Sequence, residues 1–542
     1  MVKEIDRVKK LLEKGKLNEA LTKIDQLDKR TDLSNDDKIE ILLLKSTIFM
    51  KLGEFELSND ILGEFLGKKN IDPLHTVDAL IIKAENLDRQ AEYDEGLEIV
   101  SEGEELLKQL TQIEQKEISK RQSILLRRKG GIYSMKGDLD SALNLTQQSL
   151  KLAREIKDQS LISGALNNIG IIFQEKGDND NALDYFRQSL AIAQEIGKKY
   201  DLAFPLGNIG IIYRRKGDFT KALENFQQSL AIYQEIGDKR GISVLLFFIG
   251  ETYAQKGELD DALDHYEQSI VPMEEIGDKF FLGNTLLGIG EVHRQRGDFT
   301  QANDYFKRSL VLFEEIGNNI HISENVLLLL LTAINNNSFS QAKNFLGRLQ
   351  QINDLEDNLI VSQYFRLAHA IILKNSTRMS GKVKSQEILH DLVNEKSFSY
   401  QITFHAMLSL CELLVDELKL FGEEEVQKQV KSLLNRINVI AFEQHASPLI
   451  VQTLLLQAKF SLVEGNAQQA NKLLDKARVT ANESGLELLA VNVSNEQENL
   501  YRELDKWKEL FHRNAPLVER LDMAQLNDYI SNALDMVRTR KN

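Results

Sequence analysis

Few side chains in this sequence have the type and spacing that bond-making chemistry requires. Adjacent acids occur at Glu104-Glu105 and Glu423-Glu425, but both lie in polar stretches of helical pattern with no cleft implied, so they read as solvated charge. The nine histidines are scattered, and His265 and His293 fall where other repeats carry aromatic residues, which suits packing better than metal ligation. The single cysteine, Cys411, sits in the apolar run SLCELLV, where an inert buried thiol is expected in place of a nucleophile. No phosphate-binding glycine loop, HExxH or CxxC is present. The expectation is a protein that is not an enzyme, with no cofactor and no metal. What remains is noncovalent chemistry: Asn168 and Asn208, Glu251 and Glu291, and Arg214 and Arg294 stand at multiples of one interval, so the elements that position them must repeat.

That interval is 40 residues, and it recurs five times between Arg121 and Ser323. A glycine stands at 130, 170, 210, 250 and 290, a second at 137, 177, 217, 257 and 297, and an alanine at 142, 182, 222, 262 and 302. A period of this length means stacked supersecondary units, which offer a long surface and not a single pocket. In one unit Leu166, Ile169 and Phe173 share a helical face, and Leu183, Phe186 and Leu190 share another after the Lys176-Gly177 break, so the unit reads as a helical hairpin. Gly177 suits the left-handed turn after a helix, and Lys176 suits the negative end of its dipole. Asp or Thr at 140, 180, 220, 260 and 300 is expected to cap the second helix. Each mid-helix glycine costs up to about 1 kcal/mol relative to Ala, so packing must offset it. Gly170 is expected to bring the backbone close to Ala182, and Ser149, Ser189, Ser229, Ser269 and Ser309 to supply a small contact where the second helix meets the next hairpin.

The pattern of small residues at positions eight, twenty and twenty-seven, with aromatics at eleven (Tyr133, Phe173, Tyr213, Tyr253) and twenty-four (Phe186, Phe226, Tyr266, Phe306), resembles the tetratricopeptide repeat. That family usually repeats every 34 residues. Here the second helix is longer and closes at Glu-Ile-Gly (195–197, 235–237, 275–277, 315–317), with Pro272 where a shorter unit would stop and a kink is expected. This form is similar to the arrays of Pins-type adaptors, kinesin light chains and MalT-like regulators. The resemblance implies an all-α, right-handed superhelical solenoid of antiparallel helical hairpins. It also implies that positions two, five, nine, twelve and thirteen of each first helix line a concave groove. On this register a partner would meet Asn167, Ile171, Phe204, Ile211, Arg214, Arg215, Phe247, Glu251, Leu287, Glu291 and Arg294, with Asn168 and Asn208 at position six able to hold a peptide backbone. Two readings stand side by side: the arginines bind a partner or pair with neighbouring glutamates, and the Phe and Ile side chains anchor a partner or pack on the adjacent hairpin. Capture of a chaperone C-terminal tail is not expected, because Val244 and Phe248 replace the basic residues it requires.

The landmarks thin out on both sides. Gly15 with Ala20, Gly53 with Ser58 and Tyr93 with Gly96 mark irregular hairpins over residues 1–120, ahead of the five regular repeats at 121–322. Residues 323–485 read as degenerate hairpins, with Asn335-Asn336-Asn337 in place of a glycine break, and 486–542 as two capping helices. With a net charge of -15 the chain lacks the basic footprint of a nucleic-acid binder. The longest apolar run, 326–331, is far below the ~20 residues of a membrane span, so a cytoplasmic location is expected. The leading expectation is an adaptor that binds a protein or peptide partner in the groove. The alternatives are a ligand- or peptide-sensing regulatory array and a structural spacer, with self-association open in each case.

Overall fold

The computed structural model describes residues 2–13, 16–68, 71–90, 92–110, 113–376, 378–395, 400–443 and 446–537. The break expected at Gly15 lies outside them. Among the described residues the regular elements are 27 α-helices. The irregular hairpins are α1 (Val2–Glu13) with α2 (Leu17–Asp28), α3 (Asn35–Leu52) with α4 (Phe55–Leu66), and α5 (Pro73–Arg89) with α6 (Tyr93–Gln109). The regular repeats are α7 (Gln115–Met135) with α8 (Leu139–Glu155), α9 (Gln159–Glu175) with α10 (Asn179–Ile196), α11 (Lys199–Arg215) with α12 (Phe219–Ile236), α13 (Lys239–Lys256) with α14 (Leu259–Ile276), and α15 (Lys279–Gln295) with α16 (Phe299–Glu315). There follow α17 (Asn319–Asn335), α18 (Phe339–Leu355), α19 (Leu359–Lys374), α20 (Met379–Asn394), α21 (Tyr400–Phe421), α22 (Glu424–Glu443), α23 (Ser447–Val463) and α24 (Ala467–Glu483). The chain ends in α25 (Glu487–His512), α26 (Leu517–Ala524) and α27 (Leu526–Val537), three helices where two segments were expected. The fold is an all-α solenoid of antiparallel helical hairpins. It divides into two compact units: unit 1 holds 1–213, 221–248 and 271–278, and unit 2 holds 214–220, 249–270 and 279–542.

The mid-helix glycines seat rings. A Cβ added at Gly170 would lie 2.6 Å from the fully buried ring of Phe186, and Gly210 and Gly290 stand in the same relation to Phe226 and Phe306. The backbone approach expected at the alanine is present, with the carbonyl of Ala222 3.2 Å from the position a Cβ on Gly210 would take. The closer obstacle is the aromatic at position twenty-four, so glycine is the residue that lets this ring come this close to the first helix. The serines differ from expectation too. Ser149 and Ser189 pair with Ser123 and Ser163 on the first helix of their own hairpin, Oγ to Oγ at 3.0 Å, and Ser309 donates to the Gly283 carbonyl at 2.7 Å. Ser309 and Ser269 also meet the next hairpin in the way foreseen: Ser309 accepts from Asn325 Nδ2 at 3.0 Å, and Ser269 Oγ lies 3.4 Å from Thr285 Oγ1.

The caps lie two residues earlier than expected. Asp138, Asp178 and Asp298 accept from the backbone N–H three residues on, at 3.1, 3.2 and 3.1 Å. The cause is the preceding glycine: with φ +79° at Gly177, the chain turns so sharply that the next residue already stands at the helix start. Asp140 sits inside the first turn, where it accepts from Lys176 of the following hairpin at 2.6 Å, and Asp260 pairs in the same way with Arg296. These exposed ties are worth roughly 0–1 kcal/mol each and serve register more than stability. Asn337 takes the left-handed role at φ +54°, as its position in the pattern implies. Pro272 lies inside α14, which continues to Ile276.

In unit 2 the two most apolar helices, α17 and α23, are the most enclosed. Leu327 to Leu331 are all buried, and α23 is buried around nearly its whole circumference because α22, α24, α26 and α27 pack about it. Arg520 ties α26 to the end of α23 by donating to the Val463 carbonyl at 2.8 Å.

Replacing Gly170 with Ala should destabilise the protein by about 1–3 kcal/mol, since the ring of Phe186 has no space to yield. Thermal denaturation followed by circular dichroism checks this; a Gly170→Ala variant that melts at or above the wild-type temperature removes the ring-seat argument.

Candidate functional site

Within each unit the first helices of successive hairpins lie side by side, α5 on α7 and α7 on α9 in unit 1, α17 on α19 and α19 on α21 in unit 2. Residues at positions two, five, six and nine therefore form rows along these helices. The two units fill their rows differently.

In unit 2 the row is occupied by its own charges. Arg214 Nη1 lies 3.2 Å from Glu251 Oε2, and Arg294 forms a fork onto Glu291 at 3.3 and 3.2 Å. All four are buried, Arg294 to 3% exposure. Tyr266 lies among them; burial first, then Glu251 and Glu291, push its hydroxyl well above the ordinary range. Leu287 is buried at 3%. Of the two readings of these residues, the pairing with neighbouring glutamates is what the geometry shows for Arg214 and Arg294. Arg215 is half-buried and also engaged. In unit 1 Phe247 is buried at 4%, with its ring centroid 5.3 Å from that of Phe248. Substituting Phe247 or Arg214 would thus disturb packing as well as any bound partner.

The remainder of the unit 1 row is more open. Phe204 is 40% exposed, with its ring edge-on to Tyr200 and Tyr233 at 5.1 and 5.8 Å. Ile171 and Ile211 are half-buried, Ile171 against the cluster of Phe186 and Ile212. Asn208 donates to the buried Asn167 Oδ1 at 3.0 Å, joining successive first helices through their amides. Asn168 is half-buried and hydrogen bonds to no other described residue.

Toward the amino end of this row stands a charge cluster that the sequence reading missed. Glu85 on α5 accepts from Arg89 at 3.0 Å and pairs with Arg128 of α7. Burial opposes the Glu85 charge, but Arg128, Arg89, Lys51 and Arg127 outweigh it and hold the carboxyl well below the ordinary range. Burial raises Asp88 instead. Among the described residues no carboxylate lies within ion-pair distance of Arg127 and its Nε makes no hydrogen bond, although Glu85, Asp201 and Asp88 act on its charge from farther away. Burial, then the adjacent Arg128, pull its guanidinium down to about 10. Arg127 and Arg128 occupy positions five and six of the first regular repeat, in column with Asn167 and Asn168. Extending the register one repeat toward the amino end would have found them.

Unit 1 also closes on itself around this cluster. Lys51 of α3 lies 3.5 Å over the ring of Tyr200, Arg89 donates to the Tyr200 hydroxyl at 3.2 Å, and a Cβ on Gly53 would fall 2.7 Å from Ile276. Elsewhere in the chain, the Cys411 thiol is pushed up to about 12 by burial, which leaves it unreactive. No described helix is long and apolar enough to cross a membrane.

The sequence model of the tetratricopeptide repeat family matches residues 120–195, 161–235, 201–271 and 242–315. No curated protein matches the chain. Among solved structures, the apo form of the quorum sensor NprR from B. thuringiensis aligns with a TM-score of 0.51 at 16% identity, over 67% of this chain and 99% of that one. NprR in complex with its cognate peptide NprX aligns at 0.44 and 15%, over 68% and 100%. A signal transduction ATPase with a tetratricopeptide repeat sensor from Pyrococcus horikoshii aligns at 0.42 and 14%, over 74% and 56%.

Replacing Glu85 with Gln removes the nearest carboxylate from Arg89 and Arg128, leaving Arg128 only Asp88 at 4.0 Å, and should cost about 3 kcal/mol at neutral pH. Because the folded carboxyl is held below its unfolded value, its stabilisation is full above about pH 4.3 and is lost as the pH falls below that. The gap in melting temperature between wild type and Glu85→Gln should therefore shrink as the pH is lowered from about 6 to 3; a gap that is constant or widens contradicts the assignment.

Proposed function

Residues 120–315 are tetratricopeptide repeats, and on that premise we propose that the protein is a peptide-binding regulatory scaffold whose ligand lies along the inner row of unit 1. The observation that carries the reading is Asn168. Its amide stands at position six of its first helix, half-buried and bonded to no other described residue, while the neighbouring pair Asn167 and Asn208 is already joined. An amide offers one acceptor and two donors, the complement of an extended peptide's N–H and C=O groups. Phe204, exposed and framed by Tyr200 and Tyr233, supplies the apolar contact that such a segment needs beside its hydrogen bonds.

The contacts of Lys51, Gly53 and Arg89 with Tyr200 and Ile276 favour a sensing role over passive tethering. A ligand entering this row meets side chains that also hold unit 1 closed, so binding and closure share the same residues and their free energies are coupled. The likeness to the quorum sensor NprR lies in the fold. The protein acts in the cytoplasm on this reading, and its partner is a peptide or protein segment with no cofactor involved.

Panning random seven-residue displayed peptides on the immobilised full chain tests the reading. The wild type should enrich a related family of peptides, and Asn168→Ala should bind them about tenfold more weakly through loss of roughly one hydrogen bond. Enriched peptides that bind the Asn168→Ala variant with unchanged affinity would falsify the groove assignment.

A further inference from the structure

The first helices of unit 2 pack on one another as far as α21 and then cease to. α17 lies on α19 and α19 on α21, but among the described residues α21 and α23 make no comparable contact. The place between them is taken by α26 and α27, each of which packs on both α21 and α23. This is not the position of an end cap. α25 already covers α24, and the chain turns back after it to reach the first helices.

The fit is that of an amphipathic helix in a seat. Leu526, Ile530, Ala533 and Leu534 fall on one face of α27 at helical spacing, and all four are buried. The contacts around this apolar stripe are polar. Asn527 Nδ2 donates to Asp416 Oδ1 of α21 at 3.2 Å, Lys419 of α21 lies 2.9 Å from Asp522, and Lys459 of α23 stands 4.6 Å over the ring of Tyr529. The Tyr529 hydroxyl donates to Glu496 of α25, which also pairs with Lys459 at 2.6 Å. Burial first, then Glu496, push that hydroxyl well above its ordinary range.

Three features make this occupant separable from its seat. α26 and α27 have 8 and 12 residues, at or below the ~12–15 at which an isolated helix begins to hold in water, so their helical form depends on docking. The backbone is strained on both sides of α26, where Asn514 and Gln525 are held at φ +50° and +51°, a left-handed conformation that residues other than glycine disfavour. Undocking relieves both. The seat also leaves a polar atom unmet, since Asn527 Oδ1 is shielded from solvent and has no hydrogen-bond partner. These effects oppose the burial of the apolar stripe without cancelling it.

We propose that α26 and α27 are a detachable, built-in ligand of unit 2. They fill a seat for an amphipathic helix between α21 and α23 and leave it together, unfolding as they go, while α21, α23 and α25 stay folded. The partner this surface fits is a short amphipathic helix with apolar residues at the spacing of 526, 530, 533 and 534 and an aromatic ring that can lie under Lys459. Such a helix competes with α27 for the seat and does not bind beside it.

The test is hydrogen exchange of the full chain, read by mass spectrometry. Amides of 517–537 should exchange together and at least about tenfold faster than those of α23. Gln525→Gly, which suits the left-handed turn, should slow that exchange about threefold or more and leave α23 unchanged. Ile530→Asp should give 517–537 the exchange of an unfolded segment, with α21, α23 and α25 as protected as in wild type. The vacated seat is then probed with a fluorescent synthetic peptide of residues 516–537, followed by anisotropy. The Ile530→Asp chain should bind it at least about tenfold more tightly than wild type, whose seat is filled. Protection of 517–537 equal to that of α23 in wild type, or loss of protection in α21 and α23 along with the pair in Ile530→Asp, overturns the proposal and makes the two helices part of the core. Equal peptide binding by the two chains overturns the seat, and exchange unchanged in Gln525→Gly overturns the role given to the turn.

Discussion

The contact on which this array depends is an aromatic ring laid against a helix backbone. Phe186 on Gly170, Phe226 on Gly210, Tyr266 on Gly250 and Phe306 on Gly290 each bring a second helix to its first helix at a distance no side chain but hydrogen permits. The ring is large and fully desolvated, so burying it offsets the helix propensity lost at glycine. Because the seat recurs in four of the five regular repeats, with Thr146 against Gly130 in the first, the other faces of the first helices recur in the same register. The inner row inherits its order from that repetition, and its chemistry can then vary without disturbing the hairpins.

Charge on the inner rows is handled in two ways. Unit 2 neutralises Arg214 with Glu251 and Arg294 with Glu291, so its row satisfies itself. Unit 1 pairs Glu85 with two arginines, while the third, Arg127, feels Glu85, Asp201 and Asp88 only from beyond ion-pair distance. Buried pairs of this kind give little net stability, since desolvation consumes much of the attraction. What they do provide is a fixed arrangement of charge, and a row that is full cannot offer the same surface as one that is not.

Much of the fold is legible in the sequence because the physics that sets it is local. The 40-residue interval, the Lys-Gly break and the aromatic at position twenty-four are each confined to one hairpin, and Asn337 could be read as a turn residue from its place alone. The errors arise where two residues compete for one role. Asp138 and Asp140 are both acids at a helix start, and only the turn angle at Gly137 decides which one caps. Ala182 and Phe186 are both one helix away from Gly170, and the larger side chain wins. The candidate groove residues all fall on first helices, but whether Arg214 meets solvent or Glu251 depends on the distance between successive hairpins, which no single repeat encodes. Arg127 escaped notice because its neighbour Arg128 finds Glu85 some 43 positions earlier, and nothing in the sequence of α7 says which of the two arginines is left over.

The closure of unit 1 sets a count. An open stack can gain or lose a repeat by duplication or deletion, because each hairpin answers only to its neighbours. Here Gly53, held at φ +84°, meets Ile276 so closely that any side chain would intrude, and Lys51 rests on Tyr200. These residues are far apart along the chain and meet only when the right number of hairpins separates them. Insertion or removal of a single 40-residue unit between them would carry Tyr200 and Ile276 past their partners. In this part of the molecule the number of repeats is itself a structural parameter, fixed as firmly as the residues within each one.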